Sequence, residues 1–202
     1  MTILSGKLNL FKPSLTVKIS QKARELAKLG KNIISLSSGE PDFDTPQHIK
    51  DEAIRAISMG FTKYTSVDGV MELKQAIKNK FINENNIQFS TKQITVGAGG
   101  KHVIYNLLMS TLNENDEVII PVPYWVSYPD IVSLCGGSPV FMDTSEKNEF
   151  KITPKQLDSA INKNTKWLIL NSPSNPTGTV YSKSELKELS KVILSHKNLW
   201  VL

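Results

Sequence analysis

The fold is decided by the stretch Asn171-Ser172-Pro173-Ser174-Asn175-Pro176-Thr177-Gly178. An apolar run at 167–170 precedes this stretch, and a helix-forming run at 182–194 follows it. Strand, polar turn and helix in this order place the turn at the carboxyl edge of a parallel sheet. Pro173 and Pro176 fix two φ angles and Gly178 permits a positive φ, so the stretch predicts a stiff loop that holds the Asn175 amide in one orientation. The same residue types are also typical of an ordinary β-to-α turn.

The regions around this loop alternate between strand-like and helix-like patterns. Apolar runs predict strands at 33–36, 94–96, 118–120, 140–142, 167–170 and 199–202. Amphipathic patterns predict helices at 16–29, 46–59, 70–85, 101–112, 124–134, 153–161 and 182–194. Alternation of this kind predicts an α/β fold with a mostly parallel sheet and helices on both faces, preceded by a small amino-terminal helical segment. We expect an arm and part of a small domain at 1–45, and the first part of a large α/β domain at 46–202.

Composition excludes several classes of protein. The net charge of +5 comes from 22 lysines and two arginines that are scattered along the 202 residues, which predicts no nucleic-acid partner. Cys135 is the only cysteine, so an internal disulfide and a cysteine-rich zinc site are excluded, and no metal is expected. The chain shows neither a signal-peptide pattern nor a run of about 18 apolar residues, so we expect a cytoplasmic protein without a membrane partner.

Two further stretches could bind a ligand. Gly97-Ala98-Gly99-Gly100 lies between a predicted strand and a predicted helix, where backbone amides can face a phosphate, although a plain tight turn is the alternative. Lys101 opens that helix against the usual dipole preference, which favours a nearby anion. Trp125 begins another helix after a strand, where its ring can stack on an aromatic ligand or simply pack in the core.

Five motifs occur in the order found in one family. They are Ser38-Gly39-Glu40-Pro41-Asp42-Phe43, Lys63-Tyr64-Thr65, Gly97-Ala98-Gly99-Gly100-Lys101, Pro123-Tyr124-Trp125-Val126-Ser127-Tyr128 and the loop at 171–178. Together they resemble the class I aminotransferases of fold type I, which depend on pyridoxal 5'-phosphate, and most resemble the bacterial aspartate aminotransferases, some of which also use prephenate. The resemblance runs from about residue 10 to residue 202.

The resemblance implies a role for each matching residue. Gly99, Gly100 and Lys101 would hold the cofactor phosphate, Trp125 would stack on the ring, and Asn175 would bond the ring oxygen and help to hold the substrate carboxylate. Tyr64 would reach the phosphate from the partner subunit of a homodimer. Gly39 would admit the substrate carboxylate, while Lys101, with Ser14 and Thr16 of the other subunit, would recognise its distal carboxylate. Lys12 matches a position linked with prephenate use. On chemistry alone, Ser14, Thr16 and Lys12 are equally well read as capping or solvated residues.

The implied activity is transfer of an amino group from L-aspartate to 2-oxoglutarate, with prephenate as a further acceptor. No catalytic residue is assigned here, because the family's Schiff-base lysine would lie beyond residue 202. The chain ends in the apolar run at 199–202, and we expect it to be the amino-terminal half of the enzyme and inactive alone. The alternatives are a non-catalytic fragment of a split or decayed gene, and a class I aminotransferase of aromatic or alanine type.

Overall fold

The computed structural model describes residues 3–10, 15–36 and 39–202. This part of the chain forms seven α-helices and four β-strands. The helices are α1 Leu15–Lys28, α2 Gln47–Ser58, α3 Met71–Asn85, α4 Gly100–Thr111, α5 Ser127–Leu134, α6 Pro154–Ala160 and α7 Lys183–Ser195. The strands are β1 Glu117–Val122, β2 Ser138–Asp143, β3 Thr165–Leu168 and β4 Trp200–Val201. Single 3-10 turns occupy Gly6–Asn9, Thr91–Gln93 and Glu146–Asn148.

The four strands form one parallel sheet in the order β2-β1-β3-β4. In the register of the sheet, Ile119 of β1 lies beside Val140 of β2 and Leu168 of β3. Because all strands run in the same direction, the chain returns from each strand to the next through a helix. The segments that follow β1, β2 and β3 therefore all leave the sheet at one edge.

Alternate residues of β1 pack into separate cores on the two faces of the sheet. Val118 and Ile120 belong to a cluster with Leu108 of α4 and Val132 of α5. Ile119 points the other way, into a cluster whose buried members include Leu168 of β3, Leu157 of α6 and Leu189 of α7. This alternation has the two-residue period of a strand that is buried on both faces. The predicted α/β fold with helices on both faces is confirmed.

The chain divides into two compact units. One contains the described residues of 1–12 together with 99–202, and includes the sheet. The other contains the described residues of 13–98, and includes α1, α2 and α3. The predicted domain boundary at residue 45 remains a prediction.

The predicted helices all form, but two of the predicted strands do not. Residues 33–36 and 94–96 are irregular. In the first segment Ile34 and Leu36 keep 85% and 92% of their surface exposed. In the second, the Val96 N–H donates to the Asp68 carbonyl at 3.0 Å, so it is satisfied by a turn rather than by a neighbouring strand. An apolar run becomes a strand only where a partner strand accepts its backbone hydrogen bonds.

The unit at 13–98 has one tightly packed corner, where α3 begins. The Lys74 side chain is buried and its ammonium pairs with the Asp68 carboxylate, which holds the pKa of Asp68 below its ordinary value. Next to this pair the backbone of Gly69 has a φ of +108° and runs against Val96.

None of the helices in the described residues is long and apolar enough to span a bilayer.

We expect Gly69→Ala to destabilise the chain more than Gly30→Ala. A Cβ at Gly69 would lie 2.7 Å from Cγ2 of Val96, whereas a Cβ at Gly30, where φ is +78°, meets no described atom within 4 Å. The Gly30 variant therefore carries only the left-handed backbone cost of about 1–2 kcal/mol, and overpacking adds about 1–3 kcal/mol at Gly69. Urea denaturation of both variants measures the difference. Equal losses of unfolding free energy would contradict the contact with Val96.

A second prediction concerns the turn before β1, where Asp116 accepts bonds from Lys166 Nζ at 2.8 Å and from the Asn113 N–H at 2.7 Å. The Lys166 ammonium, aided by Asn113, lowers the pKa of Asp116. A lowered pKa means that the stabilisation is complete above the unfolded pKa of about 3.9 and is lost as the pH falls below it. Asp116→Asn should therefore lower the free energy of unfolding by about 1–3 kcal/mol at pH 7, and the gap should narrow as the pH falls below about 4.

Urea titrations at several pH values test this dependence. The matched control is Glu188→Gln, which removes the exposed pair between Glu188 and Lys191. An exposed pair contributes about 0–1 kcal/mol, so this variant should differ little from the native chain at any pH. A gap for Asp116→Asn that stays constant down to pH 3 would show that the carboxylate charge does not matter.

Candidate functional site

A narrow crevice lies at the carboxyl edge of the sheet. It is lined by residues that follow three neighbouring strands: Pro123, Tyr124 and Tyr128 after β1, Phe150 after β2, and Asn171, Ser174, Asn175 and Tyr181 after β3. Ile120, Pro121, Ile169 and Leu170 also line it. Its enclosed interior of about 20 Å³ has room for about one water. Polar groups therefore converge here, but the crevice cannot enclose an aromatic ring.

The loop at 171–178 carries its own network of hydrogen bonds. The Asn175 N–H donates to Oδ1 of Asn171 at 2.7 Å, and the Gly178 N–H donates to the Ser174 carbonyl at 2.7 Å. Gly178 has the positive φ that the sequence predicts, at 73°, and the peptide bonds before Pro173 and Pro176 are cis. The two hydrogen bonds hold the backbone beside Asn175, which lines the crevice.

Helix α4 begins at the glycine run. Gly99 is the residue before the first turn, with φ 90° and ψ 163°, and within the described chain no side chain caps the helix there. A Cβ at Gly99 or Gly100 would meet no described atom within 4 Å, so nothing in the described chain crowds these two positions. The first amides of a helix have no acceptor within it, and they carry the positive end of its dipole. The start of α4 can therefore bind an anion.

Lys101 and Trp125 come together beside this helix start. Lys101 Nζ lies 5.0 Å from the centroid of the Trp125 ring, within the range of a cation–π contact. Tyr128 packs edge-on against the same ring, with centroids 5.3 Å apart and planes at 86°. Trp125 lies just before α5 rather than inside it, because the helix begins at Ser127. The indole ring thus contacts both a cation and a second aromatic ring.

Two phenols of the crevice keep their protons at neutral pH. Burial raises the pKa of Tyr128, and burial also raises the pKa of Tyr181, where a hydrogen bond from the Ile152 N–H opposes the effect. An ordinary tyrosine pKa is about 10, so an upward shift leaves both hydroxyls protonated. They can act as donors, not as bases.

The structure brings together part of the predicted set. Gly99, Gly100, Lys101 and Trp125 are neighbours at the start of α4, and Asn175 lies in the crevice with Tyr124, the residue before Trp125. The remaining predicted residues belong to the unit at 13–98 or are outside the described residues. Gly39 and Tyr64 are exposed, Thr16 is half-buried in the first turn of α1, and Ser14 and Lys12 lie outside the described part of the chain.

Of the residues that line the crevice, only Asn175 is assigned a site role from the sequence, and the residues that sequence reasoning missed include Phe150, Asn171 and Tyr181. Asn171 is the first residue of the loop at 171–178, so its side-chain amide could have been proposed as a site group from the sequence. Phe150 and Tyr181 match no motif in the sequence, because each is a single aromatic residue that follows a polar turn.

Among the described residues, no group of three histidine, cysteine, aspartate or glutamate side chains is placed to hold a metal ion.

Comparison with known proteins identifies the family of the chain. Residues 31–202 match the family model described as "Aminotransferase class I and II". The chain belongs to this aminotransferase family. The resemblance predicted from the five motifs is confirmed.

Two curated relatives align with all 202 residues of the chain. It is 54% identical over 202 residues to "Aspartate/prephenate aminotransferase" of Cereibacter sphaeroides, of which it covers 50%. It is also 54% identical over 202 residues to "Probable aspartate/prephenate aminotransferase" of Rickettsia typhi, of which it covers 51%. The chain thus spans about half the length of the curated relatives that it matches.

Solved structures agree with the fold. An aspartate aminotransferase from Thermus thermophilus with maleate superposes with a TM-score of 0.95 at 41% identity, covering 100% of this chain and 52% of that one. The aspartate aminotransferase from Rhizobium meliloti gives a TM-score of 0.93 at 42% identity, covering 100% of this chain and 50% of that one.

Proposed function

We propose that this chain supplies the cofactor-binding sheet edge of an aminotransferase that uses pyridoxal 5'-phosphate and takes its amino group from L-aspartate. The observation that carries the proposal is the start of α4, where an open glycine turn lies beside Lys101 and Trp125. A phosphate ester attached to an aromatic ring needs both an anion site and a flat apolar surface. These two features adjoin each other here.

The start of α4 has the donors that a phosphate requires. Its first turn reads Gly100-Lys101-His102-Val103, which contains no acidic residue to repel an anion. Backbone amides at a helix start and a lysine ammonium are the usual partners of phosphate in proteins. In this proposal Gly99, Gly100 and Lys101 hold the phosphate.

Trp125 and Asn175 are the proposed contacts of the ring. Trp125 offers an indole face, and Asn175 offers an amide that can hydrogen-bond the ring oxygen and a substrate carboxylate. Because the crevice has room for about one water, the proposal places the ring outside it. Bound pyridoxal phosphate supplies the electron sink of amino-group transfer, while this chain binds and orients it.

The proposed substrates follow from the relatives' names. These names give aspartate and prephenate, so we propose aspartate as donor and prephenate as an acceptor. The resemblance of the motifs adds 2-oxoglutarate as the proposed main acceptor. Gly39 would admit the α-carboxylate; Lys101, with Thr16 and Ser14 of a second subunit, would meet the distal carboxylate, and Lys12 would serve prephenate. Tyr64 is fully exposed, and in this proposal it reaches the phosphate of a second subunit in a homodimer.

Activity requires groups that the proposal does not assign to this chain. The chain spans about half of its relatives, and by resemblance the lysine that binds the cofactor covalently lies outside residues 1–202. We therefore propose that the chain binds pyridoxal phosphate non-covalently and does not transaminate alone. A non-catalytic fragment and an aromatic or alanine-type enzyme are the alternatives.

We expect pyridoxal phosphate to quench the tryptophan fluorescence of the chain through Trp125. Trp125→Phe should remove most of this quenching and weaken binding about 2- to 12-fold, because an aromatic stack contributes on the order of 0.5–1.5 kcal/mol. Trp200→Phe is the matched control, since Trp200 is 62% exposed on β4. Its removal should leave the dissociation constant unchanged. Equal quenching in the native chain and in Trp125→Phe would contradict the proposed stack.

A second experiment measures the transfer of the amino group. Residues 1–202 are joined to the remaining half of the Cereibacter sphaeroides relative, whose aligned half is 54% identical. The chimera should form oxaloacetate from aspartate and 2-oxoglutarate, and the 202-residue chain alone should not. Replacing aspartate by alanine or phenylalanine as donor tests the alternative specificities. A folded chimera that binds pyridoxal phosphate but transfers no amino group from any of these donors would contradict the proposed function.

A further inference from the structure

Tyr181 connects two segments that line the crevice. Its backbone N–H donates to Ser172 Oγ at 3.1 Å, at the entrance of the loop at 171–178. Its hydroxyl oxygen accepts the Ile152 N–H at 2.8 Å, a buried bond to the segment that follows β2. The ring is 8% exposed and lies on the crevice wall with Asn175 and Phe150. One residue, through its backbone N–H and its side-chain hydroxyl, thus joins the loop of Asn175 to the segment that contains Phe150.

The turn that Tyr181 holds is strained. Glu149 and Phe150 are consecutive non-glycine residues with φ angles of 52° and 56°. Side chains disfavour this left-handed region, and such residues persist only where their surroundings hold them. Here the Phe150 N–H donates to the Ser145 carbonyl at 2.9 Å, and Lys151 Nζ binds Glu149 at 2.7 Å and Glu185 at 3.2 Å. The strained backbone directs Phe150 to the crevice.

We infer that Tyr181 is a positioning residue that holds Asn175 at the geometry required by the ring of the cofactor, through its bonds to Ser172 and to Ile152. The inference rests on the proposed function for the identity of the ligand, but the link between the two segments is a property of the free chain. Tyr181 does not touch the reacting atoms in this proposal. It acts through the loop that carries Asn175.

The ring and the hydroxyl of Tyr181 have separate roles that one substitution can distinguish. Phenylalanine fills the same apolar space against Leu189 and Ile152 in the core cluster. The hydroxyl is needed because it satisfies the Ile152 N–H, which would otherwise be buried without an acceptor. Tyr181→Phe therefore removes the link and keeps the packing.

Hydrogen exchange of the ligand-free chain tests the link directly. In Tyr181→Phe, exchange should accelerate about tenfold at the Ile152 amide and also at the amides of Asn175 and Gly178, because their hydrogen bonds lie in the loop that loses its support. The Cys135 amide, bonded to the Ile131 carbonyl at the end of α5, is the internal reference and should not change. The matched variant is Tyr105→Phe, which deletes an exposed hydroxyl on α4. An increase confined to Ile152, or one of equal size at Cys135, would overturn the inference.

A double-mutant cycle tests whether Tyr181 acts through Asn175. Asn175→Ala and Tyr181→Phe should each weaken binding of pyridoxal phosphate about 5- to 10-fold. If Tyr181 works through Asn175, Tyr181→Phe should cause less than about a twofold further loss in the Asn175→Ala background. Additive losses, or an unchanged affinity in Tyr181→Phe, would overturn the positioning role.

The two proposals fail in different ways. If the native chain binds no pyridoxal phosphate, the proposed function fails, and the hydrogen-exchange pattern alone then decides whether Tyr181 holds the loop. If the native chain binds and Asn175→Ala weakens binding while Tyr181→Phe does not, the proposed function stands and the inference is wrong.

Discussion

Parallel pairing of β1 with β2 on one side and β3 on the other is the constraint on which the site depends. Because these strands point in one direction, the segments that follow them leave from one edge of the sheet. Tyr124, Phe150 and Asn175, which are widely separated in the chain, therefore reach one crevice. An antiparallel partner on either side of β1 would have sent one of these segments to the opposite edge. The direction of the strands, more than any particular side chain, therefore determines where the site forms.

The sequence predicts those parts of the fold that local patterns determine. Helix α7 is predicted from the helix-forming run at 182–194, and in the structure a capping box with reciprocal bonds between Ser182 and Glu185 opens it. Strand β1 is predicted from an apolar run, and burial on both faces explains why that run does not alternate with polar residues. Segments 33–36 and 94–96 carry similar apolar runs but form no strand, because strand formation depends on a partner that no local pattern contains. The strand prediction is therefore wrong for the same reason in both segments.

The link between Tyr181 and Ile152 shows why the rest of the site is hidden from sequence reasoning. The two residues are 29 positions apart, and neither belongs to a motif. Their bond exists because β2 and β3 flank β1, which places the turn after β2 and the loop after β3 within reach of each other. The left-handed backbone at Glu149 is equally hidden, since glutamate is not a residue that predicts a positive φ. Residues that set a geometry, unlike residues that bind a ligand, have no chemical type by which a sequence can reveal them.

The charge at the start of α4 favours an anion in the free chain. Lys101 lies in the first turn, where the helix dipole is positive and a cation is disfavoured by about 0.3–1 kcal/mol. The contact of its ammonium with the Trp125 ring contributes about 0.5–1 kcal/mol in the opposite direction. The two effects are of similar size, so Lys101 can hold this position before any ligand arrives. An anion at Gly99 and Gly100 would then gain from both the helix dipole and the ammonium, with no need to bring a distant cation into place.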